Sequence, residues 1–186
     1  MTTMLKRDRL IEAATAKFYQ QGVARTTLAD IAQQAQVPLG NVYYHFRTKE
    51  ALVEAVVQAH MQELHSMFKK WEHIADPCQR LLALLQTARE QEHVLARYGC
   101  PYGSLSQELD KEDGQLAHVA AQIFRVYLDW TEAQFRLLSK EEQEASDLAI
   151  DLISSLQGTY VLTASFRSPE LLERKLQRLA MWIRSL

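Results

Sequence analysis

The stretch from Thr26 to Lys49, TTLADIAQQAQVPLGNVYYHFRTK, constrains this chain more than any other. Leu28, Ile31, Ala32 and Ala35 recur at spacings of three and four, as do Val42, Tyr43 and Phe46, so each set shares one face of a helix. Gln36-Val37-Pro38 makes a tight connection between them. Thr27-Leu28-Ala29-Asp30 has the spacing of a capping box, in which the threonine hydroxyl takes a first-turn N–H and the aspartate reaches back. Pro38 stands at the mouth of the second helix, where a missing N–H costs nothing. Gly40 in a helix costs about 1 kcal/mol relative to alanine. Close approach of the backbone to another surface would offset that cost; the alternative is a plain helix start. Two short helices around a tight turn, ahead of a longer one, form a helix-turn-helix pattern. The crowding of Asn41, Tyr43, Tyr44, His45 and Lys49 suits a helix that meets DNA. The N-terminus of the first helix gathers N–H donors suited to a phosphate.

From about Arg9 to Ala55 the chain resembles the DNA-binding domain of TetR-family transcriptional regulators. The residues that carry the resemblance are Phe18, Gly22, Thr26, Thr27, Ile31, Ala32, Ala35, Val37, Gly40, Tyr43, Tyr44, His45, Phe46, Lys49, Glu50 and Leu52. The run Gly-Asn-Val-Tyr-Tyr-His-Phe-Arg-Thr-Lys-Glu-Ala-Leu is the specific part. Leu39 departs from the pattern, standing where many relatives have a polar or basic residue. The resemblance implies a DNA-binding head over residues 1–48 and a ligand-binding and dimerisation body over residues 49–186. It places Gly40, Asn41 and Tyr44 at or near base edges, and Thr26, Thr27, Tyr43, His45 and Lys49 on the phosphate backbone. For His45, bracing the head is an equal alternative.

Charge agrees with such a division. The formal net charge is −2, but residues 1–50 carry seven basic against four acidic side chains, or +3, and the remainder is −5. A basic head on an acidic body is expected when only one part meets phosphate. Hydrophobic residues make up 47%, ample for a core, while six glycines, four prolines and scarce strand-like alternation point to an all-α fold of about nine helices. Two cysteines, Cys78 and Cys100, are too few for a disulfide framework. With no signal sequence and no bilayer-spanning stretch, the expectation is a soluble cytoplasmic protein with no membrane partner.

Along the chain, residues 1–4 are expected to be loose and a first helix to run from Leu5 to Gln21, closed by Gly22. Lys6, Arg7 and Arg9 either approach the DNA backbone or form a solvated face. Thr48 caps a fourth helix from Lys49 to Glu72, by resemblance the lever between head and body. His60, His65 and His73 lie along this stretch without metal-ligand spacing, so no metal site is expected. Asp76-Pro77 opens a fifth helix to Tyr98. Gly99, Pro101 and Gly103 then interrupt the helical pattern, which resumes as a short helix. The run from Gly99 to Leu109 resembles a Gly-Cys-x-x-Gly-x-Leu-x-x-Glu-Leu pattern in one branch of TetR-like regulators, some of which sense electrophiles or oxidants through a cysteine at this place. A thiol beside a helix N-terminus is stabilised as thiolate; a small buried residue in a tight turn is the alternative.

A seventh helix is expected over Asp113 to Leu138. Ser139-Lys140-Glu141-Glu142 reads as a second capping box, opening an eighth helix to Phe166, and Ser168-Pro169-Glu170 caps a ninth. The eighth helix is apolar over more than one stripe, with Ser154, Ser155 and Gly158 interspersed. The eighth and ninth together are expected to bury a face in a homodimer. An effector site is expected to draw on Tyr98, Cys100, Tyr102, Phe124, Tyr127, Trp130 and Tyr160. Aromatic residues at helical spacing can line a pocket or simply fill a core.

The reading that follows is a dimeric regulator acting as a repressor, with activation the alternative. It would hold a palindromic double-stranded DNA operator and be released by a small-molecule effector or by modification of Cys100. No cofactor is expected. An enzyme is disfavoured, because no nucleophile–base set, metal ligand set or phosphate loop stands out. A protein-interaction module would lack salt-dependent DNA affinity.

Overall fold

The computed structural model describes residues 5–110 and 114–186. The expected loose start at residues 1–4 and the expected helix start at Asp113 lie outside them. Among the described residues there are ten helices and no strand: α1 (Lys6–Gln21), α2 (Leu28–Gln34), α3 (Leu39–His45), α4 (Lys49–Trp71), α5 (Pro77–Glu90), α6 (Glu92–Tyr98), α7 (Pro101–Asp110), α8 (Gln115–Leu137), α9 (Glu142–Phe166) and α10 (Pro169–Arg184). The all-α class holds. One expected helix, from Pro77 to Tyr98, is two: α5 ends at Glu90, and Gln91 leaves helical geometry at φ −104°, ψ 12° before α6 begins. No helix among the described residues is long and apolar enough to cross a membrane.

The chain packs as two compact units, one of Met1–Glu63 with Pro101–Ile123 and one of Leu64–Cys100 with Phe124–Leu186. Helices α4 and α8 contribute to both. In the first unit α1 packs on α2, α3 and α7, and α2 packs on α3. Leu10, Ala14 and Phe18 of α1, Ile31 of α2, Val42 of α3 and Leu52, Val56 and Val57 of α4 are buried there. His60 on α4 is also buried, its ring edge-on to Tyr102 of α7 at 4.9 Å.

In the second unit α10 packs on α5, α6 and α9, and α6 on α9. Its core holds Leu81, Leu84 and Leu85 of α5, Phe135 of α8, Leu152 and Leu156 of α9, and Leu172, Leu176 and Ile183 of α10. Arg89 ties α5 to α10 through a two-pronged pair with Glu173, at 2.7 and 3.1 Å. Phe68 of α4 stacks flat on Trp130 of α8 at 4.3 Å and meets Tyr127 edge-on at 5.6 Å.

Beyond the start of α2, two expected caps form and two do not. Asp76 accepts the Cys78 N–H at 2.9 Å, with Pro77 in the first turn, and Thr48 accepts the Ala51 N–H at 3.1 Å. Ser139 does not cap α9. It sits at φ 63° and closes α8 instead, its N–H donating to Arg136 and the Lys140 N–H to Phe135. A residue spent in this left-handed helix ending cannot also be the extended cap of the next helix. The turn is held by ion pairs, Arg136–Glu142 at 2.8 Å and Lys140–Glu144 at 3.2 Å. Ser168 precedes α10, but its hydroxyl donates to the Glu170 carboxylate at 2.6 Å rather than accepting a backbone N–H.

Candidate nucleic-acid interface

The interface candidate is built from α2, the turn after it, α3 and the start of α4. The capping box at α2 is complete. Thr27 Oγ1 accepts the Asp30 N–H at 3.1 Å, and Asp30 accepts both the Thr27 N–H at 2.8 Å and the Thr27 hydroxyl at 2.7 Å. The Thr27 hydroxyl and then its N–H hold the Asp30 carboxyl below the ordinary aspartate value.

After α2 the chain turns at Gln36, at φ 54°. The Gln36 N–H donates to Gln33 and the Val37 N–H to Ala32, the paired bonds of a Schellman ending. A non-glycine residue in this region is uncommon, and Arg9 explains how it is held. Its guanidinium, projecting from α1, donates to the carbonyls of Ala35 and, at 3.2 Å, Gln36. Arg7 lies over the Phe46 ring at 5.3 Å, bracing the end of α3. Arg7 and Arg9 are therefore committed inside the head. Sequence spacing did not reveal this, because both partners lie far along the chain.

Helix α3 is amphipathic in the required sense. Val42 and Phe46 are buried while Leu39, Gly40, Tyr43 and Tyr44 are exposed, Tyr44 at 83% and Tyr43 at 54%. A Cβ at Gly40 would meet nothing within 4 Å, so no contact within the protein accounts for the glycine. Asn41 is half-buried. His45 is half-buried and edge-on to the Tyr44 ring at 5.0 Å. Lys49, the first residue of α4, donates to the Ala24 carbonyl at 3.5 Å, and Thr27 is exposed beside its cap. Thr26 differs from the others. It is 1% exposed, and its hydroxyl donates to the Gly22 carbonyl at 2.7 Å, so its side chain serves the α1–α2 loop. The remaining seven predicted residues lie on α3 or at the starts of α2 and α4.

The predicted effector residues fall differently. Tyr102 belongs to the first unit, and Tyr98, Cys100, Phe124, Tyr127, Trp130 and Tyr160 to the second. Cys100 is buried, immediately before α7. Arg97 lies over the Tyr98 ring at 5.0 Å, and Tyr127 and Trp130 pack on Phe68 as described. Phe124 is half-buried and Tyr160 is buried.

Comparison with known proteins agrees with this geometry. Residues 10–56 match the family of bacterial regulatory proteins of the tetR family, and residues 75–177 match the LmrA/YxaF-like transcriptional regulator C-terminal domain. The HTH-type transcriptional regulator TtgR of Pseudomonas putida is 45% identical over 89 residues, 45% of this chain and 41% of that protein. The HTH-type transcriptional repressor DhaR of a Mycobacterium species is 28% identical over 164 residues, 85% of this chain and 77% of that protein. The match thus spans under half the length of TtgR. Among solved structures, a TetR transcriptional regulator from Legionella pneumophila superposes with a TM-score of 0.86 at 17% identity, covering 100% of this chain and 98% of that one. The reduced form of Escherichia coli NemR superposes with a TM-score of 0.76 at 21% identity, over 94% and 95% of the two chains. These two show a shared fold. The C-terminal match alone covers more than half of the sequence, and the relatives are regulators rather than enzymes: the chain belongs to the TetR family of bacterial transcriptional regulators.

Proposed function

We propose that this protein is a dimeric repressor that holds a near-palindromic operator through two copies of α3 and lets go when an effector shifts its conformation. The observation that carries the DNA-binding part is α3 itself. Its buried side is fixed by Val42 and Phe46, and its outer side offers Gly40, Tyr43 and Tyr44 with no protein partner needing the glycine. Gly40, Asn41 and Tyr44 read base edges, while Thr27, Tyr43, His45 and Lys49 hold phosphates, with the Thr26 backbone supporting them. In a dimer the two α3 helices would lie about 34–36 Å apart, one turn of DNA.

Helix α9 supports the dimer. Ile150, Gly158, Val161, Leu162 and Phe166 are exposed along it, and α10 adds exposed Met181. A Cβ at Gly158 would meet nothing within 4 Å. A glycine in the middle of an exposed helix face is unfavourable for the isolated chain and fits close approach of a partner's backbone.

Release is a population shift. The effector must bind the non-operator form better than the operator-binding form. One candidate trigger is a small molecule bound in the second unit among Tyr98, Phe124, Tyr127, Trp130 and Tyr160. The other is Cys100, whose thiol would lose its proton to solvent and whose thiolate would then add to the C=C of an electron-poor alkene, the S–C bond forming as the C=C π bond breaks and the resulting carbanion takes a proton from solvent. The test is capture of genomic DNA fragments by the purified protein, then titration on the best fragment. Tyr44→Ala and Lys49→Ala are expected to weaken binding at least tenfold with melting unchanged. Lys49→Ala is also expected to lower the salt slope of the dimer by about 1.8, one phosphate per protomer. Unaltered affinity in both variants would reject the assignment. Release by an electrophile, abolished in Cys100→Ser, would select the cysteine over the small-molecule trigger.

A further inference from the structure

Glu108 lies on α7, outside the helix-turn-helix, yet its carboxylate is spent entirely on it. One oxygen accepts the Val23 N–H at 2.8 Å and the other the Ala24 N–H at 2.7 Å. Both donors belong to the loop joining α1 to α2. Gly22 makes the approach possible in two ways. Its φ is +85°, which a side chain would strain, and a Cβ there would stand 3.0 and 3.2 Å from the two carboxylate oxygens. The loop's carbonyls are taken as well. Gly22 accepts the Thr26 hydroxyl at 2.7 Å, Val23 the Thr26 N–H at 3.1 Å, and Ala24 the Lys49 ammonium at 3.5 Å. The loop is thus held by a carboxylate on α7, by Thr26 at its own end and by Lys49 at the start of α4.

We infer that Glu108 is a positioning residue for operator binding. Its carboxylate sets the α1–α2 loop and, through it, the placement of Thr27 and Lys49 against the DNA backbone. The inference rests on the DNA-binding reading above and adds to it a residue from a helix that does not face DNA. The chemistry favours a carboxylate in particular. Each oxygen makes a charge-assisted bond to a backbone donor. A glutamine has one oxygen and one NH2, so it would turn a donor toward one of the two N–H groups. Helix α7 begins directly after Cys100. The same short helix therefore follows the candidate trigger in the chain and carries the carboxylate that holds the α1–α2 loop. Leu105 and Leu109, buried on α7, keep the helix seated whether or not the carboxylate is bonded.

The experiment uses the full-length protein and its captured operator duplex. Two readouts are taken: amide hydrogen exchange at Val23 and Ala24, and operator affinity by fluorescence anisotropy. Glu108→Gln is expected to speed exchange at both amides and to weaken operator binding about tenfold, within the usual range of coupling between sites. Faster exchange with unchanged operator affinity would overturn the inference, and so would unchanged exchange. In the wild-type protein, operator binding is expected to slow exchange at Val23 and Ala24, because coupling is reciprocal. A carboxylate that merely held the fold together would leave that exchange indifferent to operator. This second measurement decides the matter if Glu108→Gln does not fold: slowing supports the inference and indifference overturns it. A wild-type protein that binds no duplex would reject the DNA-binding reading and the inference with it. Weakened binding in the variant alone would never be mistaken for that result.

Discussion

On the proposed reading, Gly40 separates what the free protein needs from what the operator needs. Its helical position is exposed and empty for 4 Å around a would-be Cβ. Alanine there removes backbone freedom from the unfolded chain and improves helix propensity, a gain of up to about 1 kcal/mol. In a chain of this length that raises the melting temperature by about 2–4 °C. The same methyl group would stand between the backbone of α3 and the floor of the groove. Gly40→Ala is therefore expected to melt higher and bind operator more weakly. A variant that gains stability and keeps full affinity would show that the glycine is only a helix start. Thr163 presents the opposite case, a polar group without return. Among the described residues, the buried hydroxyls of Thr131 and Thr163 find no hydrogen-bond partner, and an unmet buried hydroxyl costs about 1–3 kcal/mol. Valine keeps the shape and removes the hydroxyl. Thr163→Val is expected to leave stability unchanged or raise it in urea denaturation, and a loss would mean that the hydroxyl has a function.

At the scale of the element, the start of α2 depends on a carboxylate whose charge is part of the cap. The folded Asp30 carboxyl titrates below its unfolded value because the Thr27 hydroxyl and N–H favour the charged form. Stability from this source is full above the unfolded aspartate value, about 3.9, and is lost as pH falls through the lowered folded value. Thr27→Ala removes the hydroxyl bond. The Asp30 carboxyl, followed by carbon-detected NMR, is then expected to titrate higher, closer to the ordinary value. An unmoved titration would show that the backbone N–H alone sets it. This cap was legible in the sequence because its two residues are three apart and nothing else claims them. The Ser139 box has similar spacing and fails because the end of α8 takes Ser139 first. Glycine is the usual flag for such left-handed endings, yet here Gln36, Ser139 and Arg167 fill three of them at φ 54°, 63° and 52°. Nothing in their side chains announces it; long-range contacts hold the first, where Arg9 reaches the Gln36 carbonyl. The break at Gln91 was hidden for a related reason, since apolar spacing runs on from Leu85 and Ala88 to Leu95 and Ala96. Local periodicity thus exposes α3 as an element but misplaces one residue on it: spacing groups Tyr43 with Val42 and Phe46, whereas Tyr43 is 54% exposed and the other two are buried. The bonds that hold the head in place, from Arg7, Arg9 and Glu108, join residues too far apart in sequence for spacing to show.

For the whole molecule, affinity should depend on two weak half-site contacts acting together. One α3 offers few side chains to the groove, and a single head would hold DNA loosely. Joining two heads makes the second contact intramolecular, and avidity then exceeds the single-site affinity by about 10²–10⁴-fold. The join proposed here runs along exposed α9, where Phe166 is 68% exposed and Val161 and Leu162 are 53% exposed each. A charge at Phe166 should cost the monomer little, because so much of the side chain already meets water, but it would be buried without a partner in the dimer. Phe166→Glu is therefore expected to run as a monomer in sedimentation velocity with its helical circular dichroism intact. Its operator affinity should fall at least a hundredfold while the slope per half-site persists. A monomer that still binds the full operator at wild-type affinity would mean that the two heads do not cooperate. A dimer that survives the charge would place the interface elsewhere, and the exposed face of α10 around Met181 would be the next to mutate.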